Sequence, residues 1–286
     1  MTSYKKDHNL DQGVINGFGH EWAAFDYSDN KSDSALDEQF SAYVSPIDLS
    51  AFNKNYSVAA DFGAGSGRWT SRLLPYFSKI YALEPSDGGF KVLLEKFTNV
   101  QQIEILKQTV GDNSIPEESL DLAMSLGVLH HIPNTGQAVG DIAKRLKPGG
   151  TFLCYLYYKL DDKPAHYKIL FWISSQLRWA ICRLPYNWRI KTAKIVALCV
   201  YFPLARIARF LTKQGRDTSN FPLHQYADMP FVMLQNDALD RFGTRLEQRF
   251  TKSEITEILR DAGFDLTSVN FSNSEPFWTF SANKIK

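Results

Sequence analysis

The order of elements along the chain predicts an α/β fold on a mostly parallel sheet, from three observations. Short apolar strand candidates alternate with stretches of helical texture between Ser57 and Tyr157. A glycine cluster stands where the first of these strands runs into a helix. After a long interruption the rhythm resumes at Thr251 and closes on two strands joined by Ser-Asn-Ser-Glu-Pro. Strands separated by helices cross over and pair in parallel, with both faces of the sheet covered. A short turn between the last two makes them an antiparallel pair at the edge.

Residues 1–50 are polar with scattered aromatics and read as a partly helical N-terminal arm. The first strand is Ser57–Phe62, followed by a helix over 66–77 that ends near Pro75. Next come a strand at Lys79–Glu84, a helix over 86–97, and strands at 101–107 and Leu120–Ser125. A helix over 134–146 is closed by Lys147-Pro-Gly-Gly before an apolar strand at 151–157. Residues 159–244 break the pattern as a helical insertion after strand five. Ile169, Leu170, Ile173, Leu177 and Ile181 recur at helical spacing with Lys and Arg between, so 166–211 forms two or three amphipathic helices. Thr251-Lys-Ser-Glu254 fits a capping box, the helix behind it runs to Ala262 and stops at Gly263, and strands follow at 264–271 and 277–283. The core therefore comprises 51–158 and 245–286.

With 44% hydrophobic and 22% charged residues in 286, the chain is neither disordered, collagen-like nor a coiled coil. The net charge of +1 conceals an asymmetry. Residues 159–216 hold twelve of the 32 Lys and Arg but two of the 31 acids, a local +10 against −9 elsewhere. Cys154, Cys182 and Cys199 are too widely spaced for a zinc site or a disulfide framework, which suits a reducing compartment. The N-terminus lacks a signal-like apolar stretch, and the longest charge-free apolar run, Ile195–Ala205, is far short of the roughly 20 residues that span a bilayer. The expectation is a soluble, cytoplasmic chain with no transmembrane segment.

Asp61-Phe62-Gly63-Ala64-Gly65-Ser66-Gly67 at a strand-to-helix corner carries the chemistry. Glycines there permit positive φ and close approach of a ligand to the backbone, and the helix start offers unpaired N–H groups. Glu84 ends the next strand, where an acid can accept both ribose hydroxyls of an adenosine cofactor. A dinucleotide fingerprint would put its third glycine one residue later, where Arg68 stands, so a pyrophosphate ligand is disfavoured.

These motifs, together with Glu84-Pro85-Ser86, the Asp112–Asp121 segment, Ser125-Leu-Gly-Val-Leu-His-His-Ile-Pro133 and Leu146-Lys-Pro-Gly-Gly150, resemble the class I S-adenosylmethionine-dependent methyltransferases. The resemblance covers about 57–157, with Arg249-Phe-Thr-Lys-Ser-Glu-Ile and Ala-Gly-Phe264 similar to the family's last helix and strand. It implies a Rossmann-like, seven-stranded sheet. It places Asp61 at the methionyl ammonium, the loop Gly63–Gly67 with Arg68 beside methionine and ribose, and Glu84-Pro85 at the ribose diol. Val110, with Asp112 or Asn113, would flank the adenine, and Leu126 and Gly127 would line the sulfonium side.

A hydroxyl acceptor needs a base, and His130 and His131 are the candidates, although the pair also reads as a packing signature. Acceptor contacts are expected among His20 and Trp22 of the arm, Tyr157 and Tyr158 after strand five, and His224 and Tyr226 at the end of the insertion. No residue pair stands at metal-ligand spacing. The absence of Asn/Asp-Pro-Pro-Tyr/Phe after strand four argues against amino methylation of adenine or glutamine, and the absence of Pro-Cys argues against cytosine C5 chemistry. The leading expectation is a methyltransferase for an O or N nucleophile of a small, anionic metabolite or carrier-linked intermediate, with the insertion as a lid; nucleic acid is disfavoured. Two alternatives stay open: a peripheral membrane module riding on a cofactor-binding domain through 166–211, and, more remotely, a nicotinamide-dependent oxidoreductase.

Overall fold

The computed structural model describes residues 9–24, 33–159, 164–218, 221–272 and 277–285. The turn between the last two strands and the acids Asp161 and Asp162 lie outside them. The chain divides into two compact units, Met1–Lys159 with Leu246–Lys286, and Leu160–Arg245.

The first unit holds one seven-stranded sheet in the order β3-β2-β1-β4-β5-β7-β6. Its strands are β1 Val58–Phe62, β2 Lys79–Leu83, β3 Ile103–Leu106, β4 Leu120–Leu126, β5 Leu146–Tyr157, β6 Phe264–Phe271 and β7 Phe277–Lys284. The first five pair in parallel, and β7 runs antiparallel between β5 and β6. Strands β1 and β2 bury nearly every side chain, as a sheet covered on both faces requires. Chain order reverses between β1 and β4, and at such a switch point the carboxyl ends of the strands open a crevice.

The helices of this unit are α1 Gln12–Ala24, α2 Asp33–Val44, α3 Thr70–Leu73, α4 Asp87–Phe97, α5 Thr135–Arg145 and α10 Lys252–Asp261. Asp11, Ser86, Asn134 and Thr251 stand before their helices and accept, through a side-chain oxygen, from the N–H of the third residue on, Thr251 with the full capping box to Glu254. The expected helix over 66–77 shrinks to α3. Gly67 sits at φ +70°, which no helix interior accepts, so the loop extends through Arg68 before a helix can start. Strand β5 begins earlier than expected, at Leu146, with a register shift against β4 and Gly149 at φ +78°.

The second unit contains α6 Ala165–Ile181, α7 Tyr186–Val196, α8 Phe202–Lys213 and α9 Phe231–Gly243. A π-helical turn over Ala197–Tyr201 joins α7 to α8, giving one continuous helix from Tyr186 to Lys213. At 28 residues, with mean hydropathy 1.6 over its most apolar stretch, that helix is long and apolar enough to cross a membrane. Judging by the charge-free run Ile195–Ala205 alone understates it, because the helix continues through the flanking lysines and arginines.

Candidate active site

The carboxyl ends of β1, β2, β4 and β5 gather the site within the first unit. Strand β1 ends on Asp61, 2% exposed, and Phe62, which belongs to the core. The chain then turns through Gly63, Gly65 and Gly67 at φ +83°, +57° and +70°. The N–H groups of Gly63 and Ala64 donate to Leu83 O at 2.9 and 2.8 Å, which ties the loop to β2. A side chain has no room here: a Cβ on Gly63 would lie 2.5 Å from Val128 Cγ2, and one on Gly65 2.7 Å from Trp22 Cε2. The loop thus bridges the crevice toward β4, where Ser125 Oγ donates to Phe62 O at 3.0 Å.

Glu84, 4% exposed, is fixed at both oxygens. The Gly65 N–H donates to Oε2 and the Ser86 N–H to Oε1, each at 2.9 Å. A carboxylate oxygen has two lone pairs, so each keeps acceptor capacity for a ligand hydroxyl. Burial raises the pKa of Glu84, opposed by these hydrogen bonds. Burial also pushes Asp61 up to about 7, opposed by the Thr70 hydroxyl, which donates to Asp61 Oδ2 at 2.6 Å. Two buried carboxylates and a glycine cradle therefore face one crevice, an arrangement suited to a ligand with an ammonium and a vicinal diol.

Helix α1 brings Trp22 over the loop. Its Gly19 packs on Gly88 of α4 so closely that a Cβ on Gly88 would sit 1.8 Å from Gly19 O. Arg68 lies between two indoles, 5.2 Å from the Trp22 ring and 4.7 Å from that of Trp69. Phe18, one helical turn before Trp22, stands 5.0 Å from the His131 ring. His20 is exposed, on a different face of α1 from both.

His130 and His131 form a short 3₁₀ turn after β4 and are both buried. His131 Nδ1 is 2.7 Å from Leu246 O. A carbonyl only accepts, so this nitrogen carries the proton and Nε2 is the basic one in the neutral ring. His130 stacks on Tyr157 at 3.9 Å, with Tyr155 at 5.8 Å. Burial drives its pKa well below the usual range, reinforced by His131 and Arg249 and opposed by a backbone hydrogen bond with Tyr155. Arg249 lies 5.0 Å above Tyr157. Tyr155 and Arg249 were not singled out from the sequence as site residues. The alternation of β5 would have found Tyr155, two residues from Tyr157 and on the same face.

The other expected residues are placed as follows. Tyr158 points to the opposite face of the sheet and packs edge-on against Trp278 at 5.1 Å. Val110 is buried and Asp112 exposed. Asn113 is engaged in its own turn, donating to Val110 O at 2.7 Å and accepting from the Ile115 N–H at 3.2 Å. Pro85 is half-buried, Leu126 is buried, and Gly127 turns the chain at φ +80°. His224 and Tyr226 belong to the second unit, where the Tyr226 hydroxyl donates to Asp237 and its ring packs against Tyr201. Among the described residues no group of His, Cys, Asp and Glu could hold a metal ion.

Residues 60–154 match the methyltransferase domain family. An uncharacterized methyltransferase of Geobacillus sp. (strain WCH70) is 29% identical over 136 residues, 46% of this chain. The chain spans 62% of that relative's length. Among solved structures, human N-acetylserotonin methyltransferase in complex with S-adenosylmethionine superposes with a TM-score of 0.54 at 16% identity, over 94% of this chain and 57% of that one. Magnesium protoporphyrin IX methyltransferase from Synechocystis PCC 6803, with bound S-adenosylhomocysteine, gives 0.53 at 13% identity, over 95% and 96%. At these identities the structures share the fold.

Proposed function

We propose that the chain, whose residues 60–154 match the methyltransferase domain family, is a class I S-adenosylmethionine-dependent methyltransferase that transfers a methyl group to an O or N nucleophile of a small, anionic metabolite or carrier-linked intermediate. The observation that carries the reading is the pairing of Glu84 with the Gly65 N–H beneath Trp22, next to the buried Asp61. These residues fit the cofactor. Asp61 would oppose its ammonium, the Gly63–Gly67 backbone its methionyl and ribose portions, Glu84 the diol, and Val110 with Asp112 or Asn113 the adenine. Leu126 and Gly127 would line the sulfonium side. When bound, the cofactor supplies a methyl carbon already activated by positive sulfur, so the protein's task is alignment and exclusion of water.

His131 is the better base of the two histidines. Its Nδ1–H is held on Leu246 O, so a hydroxyl proton would pass to Nε2 without a change of ring orientation. His130, wedged between tyrosines and kept neutral by burial, supports the wall of the site. A carboxylate acceptor would need neither. The anionic character of the acceptor is supported by the +10 balance of residues 159–216.

Calorimetry with S-adenosylmethionine and S-adenosylhomocysteine tests the reading. The wild type binds both, and Glu84→Ala weakens each about 10- to 100-fold, the worth of hydrogen bonds to a charged group. Absence of binding by the wild type, or an unchanged Glu84→Ala, would overturn it.

A further inference from the structure

The helices of the second unit are packed inside out for a chain surrounded by water. On α6 and its C-cap the inward positions are Phe171, Ser174, Ser175, Arg178, Ile181 and Cys182. The serines accept from Arg241 Nη2 at 3.3 Å each, and Arg178 donates to Arg245 O at 3.1 Å. The outward half carries Ile169, Leu170, Trp172, Ile173 and Leu177, from 47% to 63% exposed. Helices α7 and α8 repeat the inversion with small residues. Ala193, Ala197, Ala205 and Ala208 are buried against the unit, while Ile195, Leu198, Ile207 and Phe210 stand 46% to 61% exposed. Water drives large apolar side chains inward; small residues at helix contacts with large ones outside is the pattern of helices in lipid.

The charges carried by α6, α7 and α8 themselves are of one sign, with Arg209 paired to Asp228 at 2.9 Å. No acid occurs from Lys163 to Arg216. Several cations are turned to internal use: Arg189 donates to Gly243 O at 2.9 Å, and Arg206 to Ala227 O at 2.6 Å. Others lie beside the exposed indoles, Arg183 at 4.0 Å from the Trp179 ring and Lys191 at 5.4 Å from that of Trp188. Tryptophan with a neighbouring cation is suited to the boundary between headgroups and acyl chains.

We infer that α6, α7 and α8 seat the protein in the interfacial layer of an anionic lipid leaflet. A second copy of the chain would meet the same cations face to face, whereas anionic headgroups complement them. The helix Tyr186–Lys213 is long enough to cross a membrane, but Lys191, Lys194, Arg206 and Arg209 punctuate it and Ala193, Ala197, Ala205 and Ala208 hold one side of it against its own unit, which fits seating in one leaflet. The inference is independent of the methyl-transfer reading, since its readout is lipid binding.

The full chain should float with vesicles of phosphatidylcholine and phosphatidylglycerol, and far less with phosphatidylcholine alone, the difference narrowing with salt. Cys199 is exposed in the π-helical turn, whereas Cys154 and Cys182 are buried, so a maleimide should label Cys199 in solution and be blocked on vesicles. Tryptophan quenching should be stronger from lipids brominated near the headgroup than from those brominated near the chain ends. Trp172→Ser with Leu177→Ser should cut the vesicle-bound ratio about 10-fold or more, judged from the apolar area of two side chains, with the circular dichroism spectrum unchanged. Failure to float with either vesicle overturns the proposal and, if light scattering shows a dimer, assigns the face to a second copy. Equal binding to both vesicles, unchanged Cys199 labelling, or stronger quenching from the chain ends overturns the anionic, the facial or the interfacial part respectively.

Discussion

Replacing Asp61 by Asn isolates the cost of a buried carboxylate. Burial raises the Asp61 pKa from 3.8 to about 7, so the folded chain holds a proton that the unfolded chain has released over that interval. The sign follows: stability contributed by this group falls as pH rises from about 4 to about 7, and the full penalty applies above 7. A shift of about three units corresponds to about 4 kcal/mol at 1.36 kcal/mol per unit, an upper figure because local relaxation lowers it. Asn keeps an oxygen for the Thr70 hydroxyl and carries no charge. Asp61→Asn should therefore match the wild type near pH 4 and exceed it at pH 8 by up to that amount, which for a domain of this size is roughly 2–4 °C of Tm per kcal/mol. Thermal unfolding of both proteins across this pH range, without cofactor, reads the effect. A stability difference of the same size at pH 4 and pH 8 would refute the assignment of the cost to ionisation.

With the cofactor present the same residue should act oppositely. S-Adenosylmethionine affinity should rise from pH 6 to pH 8 as Asp61 ionises, with proton release at pH 6 seen by calorimetry in buffers of differing ionisation enthalpy; Asp61→Asn should bind weakly without that dependence. Gly65→Ala forces φ +57° on a residue with a Cβ and drives that atom to 2.7 Å from Trp22, so it should cost roughly 1–2 kcal/mol in urea unfolding and change the Trp22 emission. His131→Asn, which can still donate to Leu246 O, should lower kcat about 100-fold on a hydroxyl acceptor with little change in KM, whereas His130→Asn should act mainly on stability. Thr251→Ala removes the capping box of α10 and should cost about 1 kcal/mol by denaturant titration.

What could be read in advance was local. The capping box at Thr251 and the glycines after Asp61 work through residues within a few positions of one another, so their spacing is their geometry. Glu84 was legible for a related reason, since a residue ending the second strand of a βαβ unit has a fixed place beside the first. Other features depend on partners far away in the chain. Tyr157 and Tyr158 look equivalent as neighbours, yet only Tyr157 faces His130, because β5 alternates and its pairing with β4 and β7 sets which parity faces the site. The contact of Trp22 with Gly65 needs the fit of Gly19 against Gly88.

The amphipathic pattern of 166–211 separates these two kinds of knowledge. The apolar and basic periodicity, and the excess of positive charge, were present in the sequence, as was the alternation that builds the sheet around Asp61 and Glu84. Helical spacing tells which residues share a face, but not whether that face turns inward. Only the tertiary structure, by burying alanines and serines of these helices and leaving tryptophan, isoleucine and leucine exposed, decided that their apolar side looks out. The reason is that periodicity is a property of one helix, whereas inside and outside are defined by what the helix packs against.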